Sequence, residues 1–254
     1  MTRTSEKRHW DEFWASSPGI DDVYANDDRL VRFLLSHLDV RGKRVLEVGA
    51  GTGRDSLTLA RAGARVITFD YSDESLRLLS NIAGDEMDIV CGDALALPFA
   101  DNSFDIVFHQ GLLEHFRQPI DLLRENHRAL KPGGLLLVDV PQRWHYYTLL
   151  KHALMAANRW FAGWETEFSA GELSRLMREC GFEITGAYGS NLFPPVWYRG
   201  VRRVLLKAGV RLPMQPSPAA HRMRESVRKV GECTMVGCDG LTAPSEVKKL
   251  IREF

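Results

Sequence analysis

VLEVGAGTG, at residues 45–53, is the stretch whose reading decides the fold. Arg44-Val45-Leu46-Glu47-Val48 is an apolar run with the length of a buried strand. It breaks into Gly49-Ala50-Gly51-Thr52-Gly53, and a helical pattern follows at residues 54–61. Strand, glycine turn and helix together present backbone N–H groups to a ligand at the mouth of an open α/β sheet. Gly49 permits a tight turn there. Gly51 lets a ligand approach the backbone where a Cβ would collide.

Outward from this stretch, strands and helices alternate. Residues 66–70 (VITFD) read as a second strand, and residues 72–81 as a helix with Ser72 as its N-cap. Residues 87–91 are a third strand and residues 104–109 a fourth. A helix over 120–130 is stopped by Lys131-Pro132-Gly133-Gly134, and residues 135–140 (LLLVDV) form a fifth strand. This rhythm predicts a parallel sheet covered on both faces. Ligands of such sheets sit at the carboxyl ends of the strands, so residues 47–53, 70–71, 92–94, 109–115 and 141–145 carry the functional weight. Upstream, residues 9–38 read as one or two helices. Trp10, Phe13 and Trp14 share one face, suited to core packing or to a lid over the glycine turn.

The chain has 254 residues, 44% hydrophobic and 26% charged, as expected of one large globular α/β domain. Its formal net charge is zero, which gives no global pull toward nucleic acid. Charge is nevertheless uneven. Residues 11–30 carry six acids against Arg29, and residues 191–230 carry nine bases against Glu225. Cys233 and Cys238 stand near one another without a nearby third ligand, a poor zinc signature, so no metal is expected. The N-terminus has charges but no apolar core of a signal peptide, and no run has the length of a membrane span. A cytoplasmic location is the expectation.

Asp70 ends the second strand, where a carboxylate can accept both hydroxyls of a ribose. Asp93 ends the third, where it can accept an adenine amino group. Two acids at successive strand ends behind a glycine loop point to an adenosine-bearing ligand.

VLEVGAGTG, VITFDYS, CGDALALPFADNSFDIVFHQGLLEHF and LKPGGLLLVDVP, in this order and spacing, resemble the class I S-adenosylmethionine-dependent methyltransferases. Within them the pattern is similar to the small-molecule group that includes ubiquinone and menaquinone methyltransferases. The resemblance covers residues 40–141 and recurs weakly at residues 172–182. It implies a Rossmann-like three-layer α/β sandwich with a seven-stranded, mostly parallel sheet whose last strand is antiparallel. Residues 182–190 and 233–238 would form the terminal hairpin, with helical insertions after strands five and six and an extra helix over residues 241–254. One domain over residues 1–254 follows, with a lid at 1–40, a cofactor core at 41–141 and insertions at 142–168 and 191–231.

The resemblance also implies roles. Glu47 with Gly49, Ala50, Gly51 and Gly53 would hold the methionine end of S-adenosylmethionine. Asp70 would hold the ribose and Tyr71 would lie against adenine, with Asp93 and Ala94 at the adenine amino edge. The backbone of His109, Gln110 and Gly111 would face the sulfonium. A nicotinamide dehydrogenase fits worse, because Leu57 stands where its third glycine belongs.

A sulfonium methyl is already activated, so alignment of nucleophile, carbon and sulfur does most of the work. A base helps a hydroxyl or an acidic carbon. His109, His115 and His145 are the candidates, with His115 first and His145 second. Residues 144–164 are apolar nearly all round and need a cover. Residues 191–218 read as a basic amphipathic helix, a pattern suited to an anionic membrane surface, followed by a proline-marked loop. A small apolar or lipid-linked acceptor, peripheral membrane contact and no nucleic-acid partner are the expectations. Two alternatives are an RNA methyltransferase, disfavoured by HQGL after the fourth strand, and a cofactor-binding protein that acts through partners. Oxygen, carbon and nitrogen acceptors, and the oligomeric state, stay open.

Overall fold

The structure, a computed structural model, describes residues 6–16, 29–144, 146–158, 160, 162, 164–190, 201–202, 204–206, 208–212 and 232–239. The chain enters through α1 (Lys7–Ala15) and α2 (Arg29–His37). It continues through β1 (Arg44–Val48), α3 (Arg54–Arg61), β2 (Arg65–Asp70), α4 (Asp73–Ala83), β3 (Asp88–Cys91) and β4 (Phe104–Gln110). After a 3₁₀ turn (Leu113–His115) come α5 (Pro119–Ala129), β5 (Leu130–Val140), α6 (Tyr146–Ala156), α7 (Ala170–Glu179), β6 (Phe182–Ser190) and β7 (Glu232–Asp239).

Among the described residues these strands form one sheet in the order β3-β2-β1-β4-β5-β7-β6. Strands β1 to β5 run parallel. Strand β7 is antiparallel to both β5 and β6. The fold is a Rossmann-like sheet with helices on both faces. Strand order reverses between β1 and β4, the place where open α/β sheets form their ligand crevice. The glycine turn sits at that reversal.

Period-two alternation builds the two cores. Val45, Val66, Ile106, Phe108 and Leu135 face Leu30 and Leu34 of α2, Leu59 of α3 and Leu79 of α4. Leu46, Val48, Phe69, Val107 and Leu136 face Leu122 and Leu123 of α5 and Leu173 and Met177 of α7. Caps fix helix starts as the sequence suggests: Ser72 accepts from the Ser75 N–H, and Ser169 forms a capping box with Glu172.

One boundary differs from expectation. Helix α5 ends at Ala129, and Lys131-Pro132-Gly133-Gly134 lies inside β5 instead of between elements. From Phe104 to Ile106 on β4, the pairing on β5 jumps from Leu130 to Leu135. Pro132 has no N–H to leave unpaired and Gly133 takes φ +75°, so the turn signal becomes an irregularity within the strand. The first insertion also holds a shorter helix than its apolar run suggests, α6 alone, with Trp160 and Ala162 buried beyond it.

His145, most of the second insertion and the helix expected over residues 241–254 lie outside the described residues. Among those described, no helix is long and apolar enough to cross a membrane.

Candidate active site

The glycine turn hangs on β2. Gly49 and Ala50 donate their N–H groups to the Phe69 carbonyl at 2.8 and 3.1 Å. Gly49, Gly51 and Gly53 all have positive φ, and Gly53 begins α3 in a left-handed conformation that other residues rarely adopt. The Gly51 N–H donates to Asp70 Oδ2 at 2.7 Å, and the Ser72 N–H donates to Asp70 Oδ1 at 2.8 Å. Asp70 is thus locked at the end of β2 by backbone N–H groups, with the Ser75 hydroxyl adding a side-chain hydrogen bond. Burial holds it above the usual carboxylate range, although those N–H groups pull the other way.

Glu47 sits one pleat under the turn, and Ser56 of α3 donates its hydroxyl to Glu47 Oε2 at 2.5 Å. Burial first, then the nearby Asp55, pushes Glu47 well above the usual carboxylate range. Glu47, Asp55 and Asp70 are all buried. Buried carboxylates beneath a glycine cradle suit a ligand that brings an ammonium group and hydroxyl donors. Next to them, β2 and β3 pair Asp70 with Cys91, so Tyr71, Asp93 and Ala94 flank one edge of the crevice. Tyr71 is 46% exposed. Asp93 Oδ1 accepts from the Leu95 N–H at 2.9 Å, and Ala94 is buried.

Helix α1 packs against the ends of β1 and β2. Asp11 accepts from the Ser72 hydroxyl at 2.7 Å, and Lys7 pairs with Asp73 at 2.7 Å. Trp14 is buried with Cζ2 only 2.9 Å from where a Gly51 Cβ would stand. Trp10 meets the His115 ring edge-on, centroids 4.9 Å apart.

The opposite wall is the end of β4. His109 is fully buried, and neither ring nitrogen has a hydrogen-bond partner among the described residues. Burial drives its pKa down to about 3, so it is a neutral ring at any working pH. Gln110 donates to Asp139 of β5 at 2.8 Å, and the Gly111 N–H donates to the Asp139 carbonyl at 3.0 Å. Leu112 packs onto Gly49, its Cδ1 2.8 Å from the point a Cβ would take there, joining this wall to the glycine turn. In the 3₁₀ turn, Glu114 is buried, and His115 Nδ1 faces the Trp164 carbonyl oxygen at 3.4 Å. Burial lowers the His115 pKa, against the pull of Glu165.

Behind the turn lies a buried ionic group. Lys151 of α6, 1% exposed, reaches Glu165 at 2.9 Å and Glu167 at 2.6 Å. Trp160 donates its indole N–H to Glu165 at 2.9 Å, and His152 meets Glu167 at 3.0 Å. Burial alone would lower the Lys151 pKa, but the two carboxylates outweigh it and raise it. The strand-like stretch holding Glu165 and Glu167 is pinned by Thr166 N–H to the Glu114 carbonyl at 2.9 Å and by Arg143 N–H to the Phe168 carbonyl at 3.1 Å.

Residues 46–138 match the family model described as a methyltransferase domain. This segment is an S-adenosylmethionine-dependent methyltransferase domain. It is 43% identical over 128 residues to a demethylmenaquinone methyltransferase of Renibacterium salmoninarum, an alignment covering 47% of this chain and 54% of that one. It is 26% identical over 191 residues to a ubiquinone biosynthesis O-methyltransferase of Neisseria meningitidis serogroup C, covering 70% and 80%. The chain thus spans about half the length of the demethylmenaquinone methyltransferase it matches. In fold it resembles a chain from the complex of the Haloferax volcanii Trm112 methyltransferase activator with a methyltransferase. That likeness has TM-score 0.68 at 19% identity, covering 93% and 98%.

Within this methyltransferase fold, the residues read as cofactor contacts cluster at adjoining strand ends: Glu47 to Gly53, Asp70, Tyr71, Asp93, Ala94, His109 and Gln110. His115 lies across the crevice from them, under α1. Glu114, Lys151, Glu165 and Glu167 escaped the sequence reading. Lys151 and Glu165 are 14 residues apart on different elements, so no periodicity links them. Only the place of Glu114 directly after the apolar pair Leu112-Leu113, beyond a strand end, hinted at burial.

Proposed function

We propose that this domain transfers a methyl group from S-adenosylmethionine to a small apolar acceptor by in-line displacement. The observation that carries it is the Gly51 N–H locked onto Asp70 at the reversal of strand order. The cofactor supplies an activated methyl; the chain supplies grip, alignment and exclusion of water. Glu47 and the backbone from Gly49 to Gly53 take the amino-acid end, with the Glu47 carboxylate toward its ammonium. Asp70 takes the ribose diol. Tyr71, Asp93 and Ala94 border adenine, and the backbone at His109 to Gly111 borders the sulfonium. Helix α1 is a lid, with Trp14 over the turn. His115, sheltered by Trp10, is the first histidine candidate for contact with the acceptor, and His145 is the second.

The acceptor class is supported by the names of the two relatives, both of quinone pathways. It is supported too by α6, which buries Thr148 and Lys151 and leaves Leu149 75% and Leu150 44% exposed, beside Trp144 at 74%. That face suits a lipid-like acceptor or the surface of the membrane holding one. Incubation with methyl-labelled cofactor and a cell extract, followed by mass spectrometry, tests the proposal. Label in an organic-soluble product is the expected result. Label in RNA sinks it, as does tight cofactor binding with no product at all. Anionic vesicles that fail to retain the protein at low salt remove the membrane part alone.

A further inference from the structure

We propose that Glu114 is the group that accepts the acceptor's proton during methyl transfer, a role that rests on the hydroxyl or acidic-carbon acceptor of the proposed function. Four observations lead there. Glu114 is 3% exposed and its Oε2 has no hydrogen-bond partner among the described residues. A buried carboxylate oxygen left without a partner costs stability unless something else uses it. Its Oε1 lies 3.6 Å from where a Gly111 Cβ would stand, so the carboxyl rests against the turn that follows β4. That turn reaches the glycine loop through Leu112 on Gly49. And the turn is braced from behind, since Thr166 donates to the Glu114 carbonyl.

The surroundings tune the group. Asp139 of β5, Lys151 of α6 and Glu165 of the pinned stretch face it, and His115 adjoins it in the turn. Burial, then Glu165, raises Glu114 well above the usual carboxylate range, with Lys151 opposing. A carboxyl shifted toward working pH is a better base than one of ordinary acidity. His115 moves the other way, becoming a weaker base. In the step, the acceptor's O–H or C–H bond breaks and its proton passes to the Glu114 carboxylate. The freed electron pair forms the bond to the methyl carbon, and the carbon–sulfur bond breaks with its pair retained on sulfur. A sulfonium near Gly111 also favours the ionised carboxyl, so binding of S-adenosylmethionine itself primes the base.

The test uses the full chain with an alkyl hydroquinone as acceptor probe. Wild type should show kcat/KM rising with pH along one limb. Glu114→Gln should lose about 10²–10⁴-fold in rate and lose that limb, with a melting temperature no lower than wild type and unchanged S-adenosylhomocysteine affinity. Glu165→Gln should keep the limb and move it to lower pH. A limb that survives in Glu114→Gln, or that vanishes only in His115→Gln, overturns the assignment. Calorimetry in buffers of different ionisation enthalpy gives a readout without turnover. S-adenosylmethionine should release a proton on binding that S-adenosylhomocysteine, lacking the sulfonium charge, does not release. That difference should be absent in Glu114→Gln; its persistence there overturns the proposal. A wild type that shows the proton release but never methylates the probe refutes the acceptor class and leaves Glu114 standing.

Discussion

Trp14 lies on Gly51: its Cζ2 is 2.9 Å from the point a Cβ would occupy, with Gly51 at φ +53°. A methyl group at residue 51 therefore meets both a strained backbone, at about 1–2 kcal/mol, and an aromatic ring. Gly51→Ala should weaken S-adenosylhomocysteine binding at least ~10-fold by calorimetry, since each 1.4 kcal/mol is about tenfold. Trp14→Ala should leave the turn intact but speed release of bound S-adenosylhomocysteine. Unchanged release kinetics would remove α1 as a lid.

Glu47 sets stability against binding. Its folded carboxyl lies above the unfolded value, so the folded state gains stability below that window and loses it as pH rises through the folded pKa. At neutral pH, Glu47→Gln should therefore raise the melting temperature, roughly 2–4 °C for each kcal/mol relieved. The same change should weaken cofactor binding, because the carboxylate proposed to face the ammonium is gone. A variant that melts lower and binds as before would contradict both roles.

His109 works with the opposite sign. Unfolded, it takes up a proton below its ordinary 6.5; folded, it resists until about 3. Stability is lost as pH falls between those values, by about 1.4 kcal/mol per pH unit while the difference lasts. Urea titrations of His109→Leu at neutral pH and at mild acid should show a flatter acid limb than wild type. Equal slopes would mean that the ring finds a partner in solution.

Lys151 holds two buried carboxylates. Lys151→Met leaves Glu165 and Glu167 without their shared cation, with an expected loss of about 3–5 kcal/mol in urea unfolding. Adding Glu165→Gln and Glu167→Gln should return much of it, because the penalty comes from uncompensated charge. A loss under about 1 kcal/mol for Lys151→Met would mean that water reaches the group.

The β-α alternation was legible because each parallel strand is a continuous apolar run, and the crevice followed from where those runs end. Ser72 and the Ser169–Glu172 box were legible because caps depend on neighbours in sequence. Lys131 to Gly134 misled, because glycine and proline mark irregular backbone without saying whether a strand carries it. The ionic group was invisible for another reason. Charged residues in a greasy insertion read as its solvated side, yet α6 turns Lys151 inward and Leu149 outward. Only tertiary contacts across loops decide that inversion.

The place of β7 governs how the chain reaches this form. It is synthesised after β6 yet lies between β6 and β5, pairing Leu135 with Cys238 on one side and Phe182 with Asp239 on the other. A nascent chain halted before Glu232 therefore holds LLLVDV as an open edge, a template for pairing with other chains. Sealing it requires contacts about a hundred residues apart, which slows closure and favours aggregation while it is pending.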